Sequence, residues 1–342
     1  MTTTAPARNR IRLCHQVLRL DDGHRVGVSV GGHGTPLVFL HGYGMTAAAY
    51  RRLLRRLGGL GFTVIAFDAA GHGSTPTLPA DATLEARVDL TLRALDALGV
   101  DRAVFLGHSM GGRMIVDLAA RAPERVVAAV LLNAAAGAPF DESIAPGRRS
   151  PRAIVGRLFA AVVDAQGDPR HLPAAELLGY VRLMSGVLAR NVRAPWGLTG
   201  ALRAILGSGD FGAKLAAMRD HAVPTIVVHG DKDGVVPFDN AYDMAERADA
   251  TLYRVPGAHH SWMLARPRQA ADMMRQLLDA ELGRILAAAN RPADARVLGP
   301  DEIDPVELDL LRSPARRCPG RPQWRRISLR WSRRVTLVAL TG

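Results

Sequence analysis

Hydrophobic and polar positions follow two rhythms along this chain. Residues 24–32 (HRVGVSVGG) switch between polar and apolar at every second position, the period of a strand with one face buried. Residues 35–44 (TPLVFLHGYG), 62–73 (FTVIAFDAAGHG), 101–112 (DRAVFLGHSMGG) and 222–234 (AVPTIVVHGDKDG) each hold a short continuous apolar run that ends in Gly-rich punctuation. Such runs predict strands covered on both faces. A further strand is expected at TLYRVPG, 251–257. Helical patterns intervene at 46–58, 83–98, 110–121, about 239–248 and about 265–287, with Thr83 and Glu85 near the start of the second. Alternating β and α segments with apolar strands predict an α/β fold, a mostly parallel sheet flanked by helices.

Residues 137–218 break the alternation. They read as several helices, with boundaries at Pro151, Gly167-Asp168-Pro169, Pro195 and Gly207. The expected organisation is therefore a core of residues 1–136 and 219–290, with a helical insertion of 137–218 over one end of the sheet. Beyond that, residues 291–342 turn Pro-rich and acidic, then basic, without core-forming periodicity, and are expected to be a disordered tail.

Composition narrows the class. With 48% apolar and 22% charged residues the chain is expected to fold as a soluble protein, and no run of about 18 apolar residues marks a membrane span. The first residues lack the apolar core of a secretory signal. Cys14 and Cys318 lie near opposite ends, which fits neither a disulfide framework nor metal-ligand spacing, so a reducing cytoplasm is expected. The net charge of +12 suggests a nucleic-acid partner only until it is mapped: residues 312–334 carry nine arginines and no acid, leaving +3 elsewhere. No nucleic acid is expected. The tail segment RPQWRRISLRWSRR, with Trp324 and Trp331 among its arginines, leaves open a weak contact with an anionic membrane.

The strongest chemical signal is FLGHSMGG, 105–112, with Gly107, Ser109 and Gly111 spaced Gly-x-Ser-x-Gly. It follows an apolar strand and opens a helix. A sharp turn there requires small neighbours, lifts the Ser109 hydroxyl clear of the sheet and sets helix N-terminal amides beside it. A serine needs a base, the base an orienting carboxylate, and the acyl oxygen amide donors. Later strands end with these parts in order. Asp231 and Asp233 follow one strand, and the adjacent His259 and His260 follow another. His41-Gly42-Tyr43-Gly44 ends an earlier strand.

In this order of motifs the chain resembles the α/β-hydrolase fold over roughly residues 20–287. The resemblance implies Ser109 as nucleophile, with the backbone amides of Tyr43 and Met110 as the oxyanion hole. Gly230-Asp231-Lys232-Asp233 resembles the family's Gly-x-x-Asp, implying Asp233 as the acid and Asp231 as a loop residue. Pro256-Gly257-Ala258-His259-His260 resembles its Pro-Gly-x-Gly-His, implying His260 as the base, with His259 where the family usually keeps Gly. Asp68 and His72 in FDAAGHGST are implied to be structural; His41 and His108 are read as supporting residues. No metal or cofactor is implied. The family's cap matches the helical insertion, whose apolar residues, Leu158, Phe159, Leu183, Met184 and Trp196, either line a pocket or form the cap's own core. Trp196 and Trp262 are taken as candidate substrate contacts. The implied activity is hydrolysis of an ester or related acyl bond of a small apolar substrate. A C–C bond hydrolase, a thioesterase, an acyltransferase or haloperoxidase on the same residues, and a non-catalytic binding protein, stand as alternatives.

Overall fold

The computed structural model describes residues 11–289, apart from 149, 151, 153–155, 157–160 and 162–163, together with 338–340. The strands are β1 (Cys14–Arg19), β2 (Arg25–Gly32), β3 (Thr35–Leu40), β4 (Phe62–Phe67), β5 (Ala103–His108), β6 (Val126–Leu132), β7 (Thr225–Gly230) and β8 (Thr251–Val255), with the short β9 (Val338–Leu340) at the edge. They form one sheet in the order β1-β2-β4-β3-β5-β6-β7-β8-β9. The pairs from β4 to β8 are parallel, whereas β1, β2 and β9 run antiparallel to their neighbours.

The helices are α1 (Arg51–Gly58), α2 (Leu84–Ala97), α3 (Met110–Arg121), α4 (Ala138–Ile144), α5 (Ala174–Arg193), α6 (Pro195–Gly207), α7 (Phe211–Asp220), α8 (Asp239–Ala248), α9 (Trp262–Ala265), α10 (Pro267–Asp279) and α11 (Glu281–Ala289). Thr83 caps α2 by accepting the Ala86 amide, as a hydroxyl at that position does.

Strands β5 and β7 are buried at every position, which is why they read as continuous apolar runs. Alternate side chains of the central strands fill two cores. Val38, Leu40, Phe105, Leu131 and Val227 pack with α2, α3, α7 and α8. Leu37, Phe39, Val104, Leu106, Val130 and Ile226 pack with α1, α10 and α11 on the other face. Truncating one of the large residues, such as Phe105, to Ala costs about 3–5 kcal/mol.

The structure departs from the sequence expectations in four places. Strands β1 and β6 were not expected. β1 is an exposed edge strand with a polar sequence, CHQVLR, and β6 (VVAAVLL) follows α3 with only a short turn at Pro123–Arg125 to separate them. The single helix expected at 265–287 is three, broken at Arg266, where Pro267 starts a new helix, and at Ala280. Inside the expected insertion, α7 buries Phe211, Leu215 and Met218 in the sheet's own core beside α3 and α8, so the core resumes at 211 rather than 219. The expected tail lies outside the described residues except for β9.

Two features place the site. From β3 the chain crosses to β4 on one side and later returns to β5 on the other, so the loops after β3 and β5 diverge and leave a crevice at the strands' carboxyl ends. Helices α5 and α6 lie over it. Asn191 donates to the Gly44 carbonyl at 3.0 Å, Tyr43 donates to the Leu198 carbonyl at 3.2 Å, and the backbones of Gly71 and Gly197 touch.

Candidate active site

Ser109 sits between β5 and α3 with φ 52° and ψ −116°, a conformation that costs a non-glycine residue of order 1–3 kcal/mol. Its backbone is gripped from three sides. Its N–H donates to the Leu132 carbonyl, and its own carbonyl accepts the amides of Arg113 and Ala135, each at 3.1 Å. Close packing dictates the flanking glycines: a Cβ on Gly107 would fall 2.5 Å from Ile115, and one on Gly111 would fall 2.1 Å from the Leu40 carbonyl oxygen. The elbow is thereby pressed against the end of β3, and Met110 opens α3 with its amide in the first turn.

Asp233 and His260 meet at the ends of β7 and β8. The His260 Nδ1–H donates to Asp233 Oδ2 at 2.8 Å. The same oxygen accepts Asn133 Nδ2–H at 2.7 Å and lies 3.3 Å from His229 Nε2, while Oδ1 accepts the Val235 and Val236 amides at 2.8 Å each. Burial alone would raise the Asp233 carboxyl; the charge of His260 and hydrogen bonds from His229 and His260 outweigh it and hold the group far below the usual carboxylate range. Burial likewise opposes protonation of His260, yet the Asp233 carboxylate, helped by Asp164 and Asp168, raises it above the ordinary 6.5.

Three further histidines, His41, His72 and His108, are held neutral near the site. His108 donates from Nε2 to the His260 carbonyl at 2.9 Å and accepts the Tyr50 hydroxyl at Nδ1, 2.7 Å; its ring lies 4.8 Å from that of His260. His41 Nε2 accepts the Ala69 amide, and His72 Nε2 accepts the Gly44 amide. Burial lowers His108 and His72 to about 3 and His41 to about 4. Asp68 ties the loops together, accepting the Ala47 and Ser74 amides at 3.0 Å each. Asp231 accepts the Gly257 amide at 2.7 Å, closing the loop between β7 and β8.

Tyr43 stands in the loop after β3. Its flanking amides are engaged, that of Gly42 by the Tyr50 hydroxyl and that of Gly44 by His72, and burial pushes its phenol up to about 12. The two tryptophans fall elsewhere than expected. Trp262 is 1% exposed, sunk in the core beneath the site, where its Nε1–H donates to Asn133 Oδ1 at 3.1 Å; it steadies the residue that holds Asp233 instead of walling a pocket. Trp196 is 79% exposed on the outer side of α6, because it starts that helix pointing away from the core. Leu158 and Phe159 lie outside the described residues. Sequence reasoning missed Asn133, His229 and Asp164. Asn133 adopts φ 44°, a left-handed conformation that Asn tolerates better than most, and this was the only local signal. Among the described residues, no group of three or more His, Cys, Asp or Glu could hold a metal ion, and no helix is long and apolar enough to cross a membrane.

Comparison with known proteins agrees with this architecture. A family model of the alpha/beta hydrolase fold matches residues 35–267. A protein of Mycobacterium phage D29, provisionally named a non-heme haloperoxidase, is 43% identical over 284 residues, 80% of this chain and 99% of its own. The monoacylglycerol lipase of Mycolicibacterium smegmatis is 28% identical over 240 residues, 66% of this chain and 80% of that one. The crystal structure of a hydrolase from Pseudomonas aeruginosa superposes with a TM-score of 0.60 at 27% identity, covering 83% of this chain and all of its own.

Proposed function

The chain belongs to the alpha/beta hydrolase fold family, and within it we propose that the protein is a serine hydrolase that cleaves an ester or related acyl bond of a small apolar substrate. The observation that carries this reading is the 2.8 Å bond from His260 Nδ1–H to Asp233, and the serine held at φ 52° at the strand–helix elbow supports it. With Nδ1 committed to the carboxylate, Nε2 is the nitrogen that can take a proton. His260 removes the Ser109 proton as Oγ attacks the acyl carbon, and the amides of Met110 and Tyr43 hold the resulting oxyanion. His260 returns the proton to the leaving alcohol. It then takes one from water as the water oxygen attacks the acyl carbon, and gives that proton to Ser109 Oγ as the Oγ–acyl bond breaks and the acid leaves. Asp233 stays ionised throughout and stabilises the imidazolium. Helices α5 and α6, within the segment expected as a cap, lie over the crevice and select the acyl group. The compartment that fits two distant cysteines is the cytoplasm.

Turnover of aryl esters of graded chain length tests this. The wild-type chain should hydrolyse them and Ser109→Ala should not; equal rates in the two would end the proposal. A second reading draws on the phage relative's name: hydrogen peroxide in place of water would convert the same acyl-enzyme to a peroxy acid. Peroxide-dependent bromination in the presence of a short carboxylic acid, lost in Ser109→Ala, is its signature.

A further inference from the structure

The loop bearing both histidines is held by the insertion as well as by the sheet. Asp164, whose side chain is 3% exposed, ends a helical stretch and precedes the turn 165–167. Its Oδ2 accepts the His260 backbone N–H at 2.9 Å, and its Oδ1 accepts the Gly234 N–H at 2.7 Å. Gly234 directly follows Asp233, so one carboxylate binds the backbone of both loops that supply the acid and the base. His259 Nδ1 lies 3.2 Å from the same Oδ1. The His259 ring lies flat on the turn: a Cβ at Gly167 would fall 2.2 to 2.4 Å from three of its ring atoms. Asp168 completes the contact by accepting the His259 N–H at 3.2 Å, while Tyr180 donates to the Ala165 carbonyl at 3.0 Å.

We infer that Asp164 is a positioning residue for the base: it ties the loops carrying Asp233 and His260 to the helical insertion, and His259 is the hook that seats it. The inference rests on the Ser109–His260–Asp233 reading. It accounts for a bulky residue where the family usually keeps Gly, because the imidazole fills the space against Gly167 and gives Asp164 its third partner. The carboxylate also acts on the base through space. Asp233 faces one edge of His260, with His229 behind it; Asp164 and Asp168, with Arg266 bonded to the Asp168 carbonyl, lie towards the insertion; and neutral His108 lies beside the ring. Asp164 therefore favours the imidazolium together with Asp233.

The test uses the full-length protein and an aryl ester. Asp164→Ala should lower kcat by about 10²-fold, the cost of misplacing a reacting group by roughly 1 Å, with KM nearly unchanged. Asp164→Asn keeps one acceptor and should recover part of kcat, while the acid limb of its kcat/KM profile moves to lower pH because a negative charge near the imidazolium is gone. A merely structural prop would leave that limb in place. Should Asp164→Ala not fold, Gly167→Ala takes its place: it drives a methyl into the His259 ring and should lower kcat, and the double variant with His259→Gly should match His259→Gly alone instead of adding the two losses. Wild-type kcat in Asp164→Ala or in its Gly167→Ala replacement, an unmoved acid limb in Asp164→Asn, or additive losses would each overturn the inference. Ser109→Ala and His260→Ala run alongside. Turnover in those would sink the triad reading itself, whereas their inactivity beside wild-type behaviour of the Asp164 and Gly167 variants sinks the positioning role alone.

Discussion

Gly111→Ala probes the contact that sets the elbow. The added methyl would fall 2.1 Å from the Leu40 carbonyl oxygen, 2.5 Å from its carbon and 2.9 Å from the His41 carbonyl oxygen. An ordinary carbon–oxygen contact is about 3.3 Å, so α3 and the end of β3 must part by roughly 1 Å. All three obstacles are backbone, and no side chain can swing aside. Overpacking of this kind costs about 1–3 kcal/mol or more, a fall in Tm of about 2–5 °C for a chain of this size. The parts that must separate are the turn carrying Ser109 and Met110 and the loop carrying Tyr43, so kcat/KM on an aryl ester should fall by about 10²-fold. Gly186→Ala is the control. It lies exposed within α5 with nothing near its would-be Cβ, and should gain about 0.5–1 kcal/mol with no change in rate. A Gly111→Ala protein with wild-type melting temperature and turnover would refute the claim that β3–α3 contact fixes the elbow.

Other outcomes follow from the same geometry. His260 must be neutral to act as the proposed base, so kcat/KM should rise with pH through a value above 6.5; Asp233→Asn should move that limb down and cut kcat by about 10⁴-fold. Burial raises the Asp168 carboxyl to about 6, and its Oδ2 has no partner. Because this folded value exceeds the unfolded 3.8, the stability it contributes is complete below 3.8 and is lost as pH rises through about 6. Asp168→Asn should therefore stabilise the protein by at most about 3 kcal/mol at neutral pH and by nothing in acid, read as ΔTm against pH. Trp196→Ala should leave Tm and KM unchanged, within about 0.5 kcal/mol, since the side chain stands in solvent.

The parts legible in the sequence are those imposed by local sterics or period. Gly107 and Gly111 announce the elbow because no other residue fits against Ile115 and Leu40, and β5 and β7 announce themselves as apolar runs because both faces are covered. Strand β6 escaped because small apolar residues directly after a helix suit either period, and β1 because an exposed edge need not be apolar. The residues that hold Asp233 and the His260 loop were illegible for another reason. Asn133 and Asp233 are 100 positions apart, and Asp164 is 96 from His260, so their pairing exists only once the sheet has formed. The tryptophans mark the limit of reading residue type: Trp196 and Trp262 share a side chain and lie at opposite extremes of burial.

The central claim is that Ser109 is the nucleophile activated by His260. Incubation with a fluorophosphonate followed by intact-mass and peptide mass spectrometry tests it most directly. One adduct per chain should form on the peptide bearing Ser109, be absent in Ser109→Ala and be strongly slowed in His260→Ala. An adduct on any other residue, or equal labelling of Ser109→Ala, would contradict it.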